Sequence, residues 1–432
     1  MFRQVKGINM PKNKGFTKYK PIEISNPPQY LYFPMNMHIG APAEIAVEVG
    51  DKVKIGDVLG RASSFMSTNI SSSVSGQVVE IKNIETLRGD NEVVVVKNDF
   101  KDQENLMEPL LGKIDSEALV DRIDQAGIVG KGGAGFPTKV KYKNDPDNID
   151  YLVINGSECE GYSTTDFRVM VEFADQIALM VKKIIEIYGI KEAFLAIERD
   201  NEDAIKAINQ AIEANNVSNF KVHLLGTNYP QGHDALQIRD VLGTEIPNAK
   251  YPADLAIIQS NVSTIKSIYD AVFLGLHYSK RVMTVSGEKV NNPKNLMVRI
   301  GTPISHLINE CGGLKDGDIR LINGGPMMGK DINSIASPVE KNTTTILAID
   351  QVKKKEETSC IRCARCIDVC PVDLQPVSIS KAYRDNNINR GIELRSNACI
   401  NCGCCTYICP ANIPLLDNIQ KLNQKLKEQF NG

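Results

Sequence analysis

Residues 360–371 read CIRCARCIDVCP, and residues 399–410 read CINCGCCTYICP. Both are C-x2-C-x2-C-x3-C-P runs, the spacing of chains that hold two iron–sulfur cubanes. Three thiolates at short intervals wrap three corners of one cubane. The fourth lies too far along to close that cubane and reaches the neighbouring one. The spacing therefore predicts one [4Fe–4S] cluster on Cys360, Cys363, Cys366 and Cys409, and a second on Cys399, Cys402, Cys405 and Cys370. Zinc is the rival reading. It favours two CxxC pairs and often includes His, and no His occurs in 360–432. Cys404 reads as a ninth thiol, spare or a substitute ligand, and Cys311, in HLINECGG, as a core residue.

The rest of the composition is ordinary. Nine of the 11 cysteines fall between 360 and 409 in a chain of 432 residues, a crowding that points to metal rather than to a disulfide framework. Lys and Arg total 50 against 52 Asp and Glu, so no basic excess marks a nucleic-acid binder. The apolar stretch 176–190 is broken by Lys182, Lys183 and Glu186, too polar for a transmembrane helix. The basic N-terminal stretch lacks the apolar core of a signal peptide, so a cytoplasmic location is expected, with any membrane association made through a partner.

Working outward, the chain reads as a multidomain α/β protein. Residues 1–110 carry short strands (44–49, 74–81, 92–96), and VGDKVKIGDVLG with SSSVSGQVVEI is similar to the half-barrel of lipoyl and biotinyl carriers. The equivalent hairpin, SFMSTNISSS, has no Lys to modify, so the barrel reads as structural. Residues 111–280 alternate strands (151–155, 193–198, 221–226, 254–259) with helices (173–188, 202–215), the rhythm of a parallel sheet. Residues 281–350 return to strands around a short helix near 303–310, a β-grasp-like pattern, and 351–432 hold the cysteines and a final amphipathic helix.

A second chemistry-bearing stretch lies at 127–138, GIVGKGGAGFPT, with five glycines in nine residues. Gly130, Gly132 and Gly135 match G-x-G-x-x-G, but a helix-like segment (116–127) precedes the loop and Pro137 follows it, so the dinucleotide βαβ context fails. What remains is a loop of exposed backbone N–H groups flanked by Lys131, Lys139 and Lys141, suited to a phosphate-bearing ligand. INGSECEGYSTTDFR (154–168) follows, where Glu158 and Glu160 would suit ribose or nicotinamide better than phosphate.

Taken together, GIVGKGGAGFPTKVK, INGSECEGY and the tandem cysteine motif resemble the C subunit of the Rnf electron-transport complex. MHIGAPAEIAVEVGDKVKIGD (37–57), YPQGHDALQIRDVLG (229–243), MTVSGEKVNNP (283–293) and GGPMMG (324–329) fit the same family. The resemblance implies a barrel-sandwich-like domain over 1–110, an FMN- and NADH-binding α/β domain over 111–280, an SLBB-type β-grasp domain over 281–350 and a two-cluster ferredoxin-type domain over 351–432. It implies Gly130, Gly132, Gly133, Ala134, Gly135 and Lys141 as the FMN and NADH loop, and Asn155, Glu158, Glu160, Asn261 and Thr264 around the flavin and nicotinamide. NADH gives two electrons as a hydride and a cubane takes one, so a flavin between them completes the chain without any catalytic acid or base. The implied protein is a peripheral subunit on the cytoplasmic face of a membrane complex, exchanging electrons between NAD(H) and ferredoxin, with the coupling ion's path in other subunits. The alternatives are a soluble relative that feeds a proline-reductase-type or cobalamin reductase, and a non-catalytic Fe–S scaffold.

Overall fold

The computed structural model describes residues 5–431, apart from 134, 146–147, 248–249 and 353–354. Two small antiparallel sheets form the barrel. One runs Tyr30–Pro34, Gly89–Asn98, Gly76–Thr86, Lys52–Val53; the other runs Glu44–Ile45, Val58–Arg61, Ile70–Ser71. Leu31, Phe33, Val78, Val94 and Val96 fill its centre, each fully buried. The strand expected over 44–49 ends after Ile45, because the Asp51 carboxylate takes the Glu48 N–H at 2.9 Å and Gly50 turns at a φ of 106°.

The α/β unit is a four-stranded, all-parallel sheet. Its strands in chain order are Tyr151–Asn155, Glu192–Glu198, Phe220–Leu225 and Ile257–Asn261, and they lie side by side in the order third, second, first, fourth. The order reverses between the first and fourth strands, which marks the switch point where open α/β sheets bind ligands beyond the carboxyl ends. The fourth strand starts three residues later than 254. Pro252 opens a 3-10 turn through Leu255, Asp254 caps it by accepting the Tyr251 N–H at 2.8 Å, and Ala256 sits at a φ of 60°. Helices Ala174–Tyr188 and Glu202–Ala214 bury Ile177, Met180, Val181, Ile184, Ala204 and Ile208 against the sheet.

A six-stranded mixed sheet follows, built on Lys280–Ser286, Lys294–Arg299, Ile319–Asn323 and Thr345–Asp350. One of its edges comes from far away in sequence: Ile22–Ile24 pairs in parallel with 295–297. Cys311 lies fully buried in this unit's core, its thiol pushed up to about 12 by burial.

The C-terminal unit repeats itself. Arg362 and Asn401, Ala364 and Gly403, Asp373 and Asn412 occupy equal places in the two cysteine runs, and all six have positive φ between 51° and 79°. Left-handed residues at the second and fourth places after the first cysteine curl each loop inward, and a short helix then starts (Arg365–Asp368, Cys404–Tyr407). Helices Pro376–Arg384 and Leu415–Asn431 pack across the pair. Among the described residues no helix is long and apolar enough to cross a membrane.

Candidate functional site

Asn155 and Asn261 end the first and fourth strands and are direct register partners across the switch point. Each helps to hold that corner and keeps one amide hydrogen free of the partners named here. Asn155 donates to Gly232 O at 2.8 Å and accepts from Ser157 N and Gln237 Nε2. Asn261 caps helix Val262–Phe273 by accepting from Ser263 N and Thr264 N, and donates to Asp166 Oδ2 at 2.7 Å. Ser263 Oγ also donates to Asp166. Burial, followed by the nearby Glu158 charge, pushes the Asp166 carboxyl up to about 6.

The glycine loop is delivered to this corner from helix Ser116–Gln125. It is closed at its base by Gly130 N donating to Phe136 O at 2.8 Å and Thr138 N to Ile128 O at 3.1 Å. Lys131 N donates to Thr264 Oγ1 at 3.1 Å, and a Cβ on Gly132 would meet Asn261 Nδ2 at 3.3 Å. A Cβ on Gly133 would meet nothing within 4 Å. The loop is thus fixed at its root, and near its tip Asn342 Nδ2 donates to Gly133 O at 3.0 Å while the Cβ side of Gly133 stays open. Gly135 turns at a φ of 74°, and Ala134 lies outside the described residues.

The three lysines do not close over the tip. Lys139 pairs with Asp124 at 2.9 Å, Lys141 lies 3.9 Å from Asp234, and the Lys131 ammonium sits 4.5 Å from the Tyr278 ring centre. Glu158 and Glu160 likewise point inward. Glu158 accepts from Ser163 Oγ at 2.7 Å and from the N–H groups of Asp166 and Phe167 at the start of helix Thr165–Glu172. Glu160 accepts from Met327 N at 3.1 Å and Met328 N at 2.8 Å, locking the 324–329 loop, and burial raises its pKa. Only glycine fits at 325, where a Cβ would lie 2.3 Å from Glu160 Oε2.

Residues not singled out by the sequence complete the corner. Ser157 Oγ, Glu198 Oε1, Gln231 Oε1, His233 Nδ1 and Gln237 Oε1 are buried and have no hydrogen-bond partner among the described residues. Five orphaned polar atoms at the carboxyl ends of a parallel sheet fit a polar ring system and its hydroxylated chain, so the residues present suit FMN. For Gln231, His233 and Gln237 the signal in the sequence was the polar run YPQGHDALQ, whose Gln and His side chains carry no spacing rule of their own; Ser157 and Glu198 carried none.

The cysteines gather in two groups drawn from both motifs. Cys360, Cys363, Cys366 and Cys409 line one cavity of about 220 Å³ with Ile361, Val377, Ile413 and Leu415. Cys370, Cys399, Cys402 and Cys405 form the second group, where the raised Cys399 and Cys405 thiols, at about 11 and 12, reflect burial first and then the other members' charges. Among the described residues no three Cys, His, Asp or Glu side chains converge on a single-ion site. Thiols ringed about a space larger than one ion suit a cubane, whose positive irons would hold such buried sulfurs deprotonated.

The two groups differ in position. Cys360 and Cys363 are exposed, whereas Cys370, Cys402 and Cys405 are buried. The second group abuts the strand-end corner: Tyr229, 1% exposed, donates its hydroxyl to Cys402 O at 2.8 Å. Cys159, Met327, Tyr229, Cys402 and Cys404 share one apolar cluster.

Four family models match in chain order. They are the RnfC barrel sandwich hybrid domain over 2–101, the Nuo51 FMN-binding domain over 123–270, the SLBB domain over 282–331 and the 4Fe–4S dicluster domain over 359–413. The chain is 38% identical over 381 residues to the C subunit of the proton-translocating ferredoxin:NAD(+) oxidoreductase complex of Clostridium ljungdahlii, covering 87% of this chain and 83% of that one. It is 35% identical over 387 residues to the C subunit of the Na(+)-translocating complex of Acetobacterium woodii, covering 88% and 87%. The C subunit of the ion-translocating oxidoreductase complex of Rhodobacter capsulatus is 36% identical over 431 residues, covering 98% and 83%. Among solved structures, a chain of an H2-reduced NAD+-reducing [NiFe]-hydrogenase superposes with a TM-score of 0.50 at 18% identity, over 73% of this chain and 62% of that one, a likeness of fold.

Proposed function

The chain belongs to the family of C subunits of ion-translocating ferredoxin:NAD(+) oxidoreductase complexes, and from that premise we propose how its residues carry electrons between NAD(H) and the rest of such a complex. FMN supplies the exchange between a two-electron hydride and single electrons, and two [4Fe–4S] clusters carry those electrons one at a time. The residues that would hold FMN are Gly130, Gly132, Gly133 and Gly135 with Asn155, Asn261 and Thr264, joined by Ser157, Gln231 and Gln237. The open loop tip offers backbone N–H groups to a phosphate, and the orphaned side chains offer donors and acceptors to the ring. Glu158 and Glu160 act as braces: one fixes helix Thr165–Glu172, the other ties the 324–329 loop over the corner. Lys141 stands at the loop's outer side, where its charge favours an anionic substrate.

The Tyr229–Cys402 hydrogen bond is the observation that carries the order of transfer. We assign Cys370, Cys399, Cys402 and Cys405 to the cluster nearer the flavin, because this buried group touches the flavin corner. Cys360, Cys363, Cys366 and Cys409 would then hold the outer cluster, placed for electron exchange with a partner protein of the complex and through it with ferredoxin. The chain so placed is a peripheral component on the cytoplasmic face of its membrane complex.

The test is anaerobic. The chain is loaded with iron, sulfide and FMN, NADH is added, and visible and EPR spectra are recorded. Flavin bleaching with reduced-cluster signals is the expected result. Clusters that respond to dithionite and ignore NADH would instead make the chain a scaffold, or one served by another donor.

A further inference from the structure

Beside the glycine loop, where helix Val262–Phe273 faces the barrel and the six-stranded sheet, lies a cavity of about 250 Å³. We propose that it binds a small oxyanion of the phosphate class, at a place separate from the flavin.

Charge is the first argument. Four cations line the cavity, Lys131, Lys266, Lys280 and Arg281, against two acids, Glu104 and Asp270. Lys266 is matched by Asp270 at 2.7 Å. Among the described residues, Lys131, Lys280 and Arg281 have no ion-pair partner. Lys131 is 7% exposed and Arg281 1% exposed, so neither is neutralised by bulk water. Burial, with Arg281 and Lys266 close by, holds the Lys131 ammonium well below the usual lysine range. Burial also lowers Lys280, and the nearby Arg299 charge lowers it further.

Hydrogen-bonding capacity is the second. One Arg281 terminal nitrogen donates to Lys341 O, but its Nε–H is buried without a partner. The Lys131 ammonium, resting against the Tyr278 ring, makes no direct hydrogen bond to a described residue. Ser267 adds a hydroxyl to the same wall. A guanidinium edge, two ammoniums and a hydroxyl about one space match an acceptor with several oxygens better than a halide.

Place is the third. Of the residues assigned above to FMN, none lines this cavity. Its walls come from the barrel (Ile55, Gly56, Asn105), the α/β helix and the strand at 280–282, so a bound anion would tie three units together behind the loop. It would also fix the side chain of Lys131, a member of the glycine loop, from the side opposite its tip. This inference rests on the functional reading only in taking the strand ends as the flavin's place.

The experiment titrates inorganic phosphate into the FMN- and cluster-loaded chain, at ionic strength held constant with chloride, following heat of binding and melting temperature. NADH bleaching in the same sample reads the flavin function independently. One saturable phosphate per chain, at least tenfold tighter than chloride, with a matching rise in melting temperature, is expected. Lys280→Gln removes the charge of a residue at the cavity's rim, and Lys131→Met removes the buried ammonium. Each should weaken phosphate at least tenfold while the cluster absorbance of the variant reports that it has folded. Equal responses to phosphate and chloride would overturn the proposal, as would folded variants that bind phosphate like the parent. Binding seen only before FMN is added would also overturn it, since the cations would then serve the flavin's own phosphate.

Discussion

Tyr229→Phe tests the joint between the flavin corner and the inner cysteine group. The change removes one oxygen and leaves the ring in place. The lost bond is the 2.8 Å one to Cys402 O, made by a side chain that is 1% exposed. Phe leaves that carbonyl without this donor in a buried setting, a loss of about 1–3 kcal/mol. If the loss falls on the docking of 399–405 against 229–232, the undocked fraction rises about 5- to 150-fold. Hydrogen exchange of the 399–405 amides should quicken by that factor, with the rest of the chain unchanged. NADH-driven reduction of the inner cluster should slow, and dithionite-driven reduction should not. Tyr407, 51% exposed, is the reference, and Tyr407→Phe should leave both readings alone. Unchanged exchange protection together with an unchanged NADH-driven rate in Tyr229→Phe would refute the joint.

Three further outcomes follow from particular residues. Cys370→Ser should perturb the same EPR signal as Cys399→Ser, and Cys409→Ser the same one as Cys363→Ser; pairing by motif instead would sink the crossed assignment. Gly133→Ala adds a methyl that meets nothing within 4 Å, so the apo chain's melting should hold while FMN affinity, read by flavin fluorescence, falls at least tenfold. His38 is fully buried, accepts from Thr68 N at 3.3 Å, and is lowered to about 4 by burial and then by the Lys341 charge. The unfolded chain therefore binds more protons between about 6.5 and 4, and stability falls by about 3 kcal/mol as pH drops through that window. His38→Gln, which keeps an acceptor for Thr68, should abolish that part of the acid loss in urea titrations at each pH.

The sequence shows most clearly what is local. Strands at 151–155, 193–198 and 221–226 were legible within a residue, because β-branched and apolar runs bounded by turn residues state their own ends. The fourth strand slipped because Pro252 and Asp254 build a 3-10 turn out of residues that look strand-like. Ile22–Ile24 could not be placed, since its partner lies some 270 residues on and parallel pairing leaves no mark in the segment itself. The same divide runs through the site. Cysteine spacing is a local code, and the structure places Cys360, Cys363, Cys366 and Cys409 about one cavity. Side-chain direction is not local: Glu158 and Glu160 were legible as acids in a loop, but only tertiary structure shows that backbone N–H groups occupy them. Gln231, Gln237 and the Nε–H of Arg281, which has no partner among the described residues, acquire meaning only from what surrounds them.

The position of the inner cysteine group is set by contacts that do not use its thiols. Glu160, from the α/β unit, holds the backbone of Met327 and Met328 in the neighbouring sheet unit. Met327 packs at Gly403, where a Cβ would meet its Cε at 3.5 Å, and Tyr229 bonds Cys402. Three loops from three units thus meet at one corner of the switch point. An electron carrier gains nothing from a site whose geometry relaxes between turnovers, because transfer depends steeply on separation. Bracing by carboxylate–backbone bonds is short, directional and charge-assisted, and it leaves the sulfur atoms free to face the cluster. Among the described residues the outer group has no such carboxylate–backbone brace, and it carries exposed Cys360, Cys363 and Ile361. A rigid inner joint and an uncovered outer one are what an electron-transfer protein needs when its donor site is built in and its acceptor arrives on another chain.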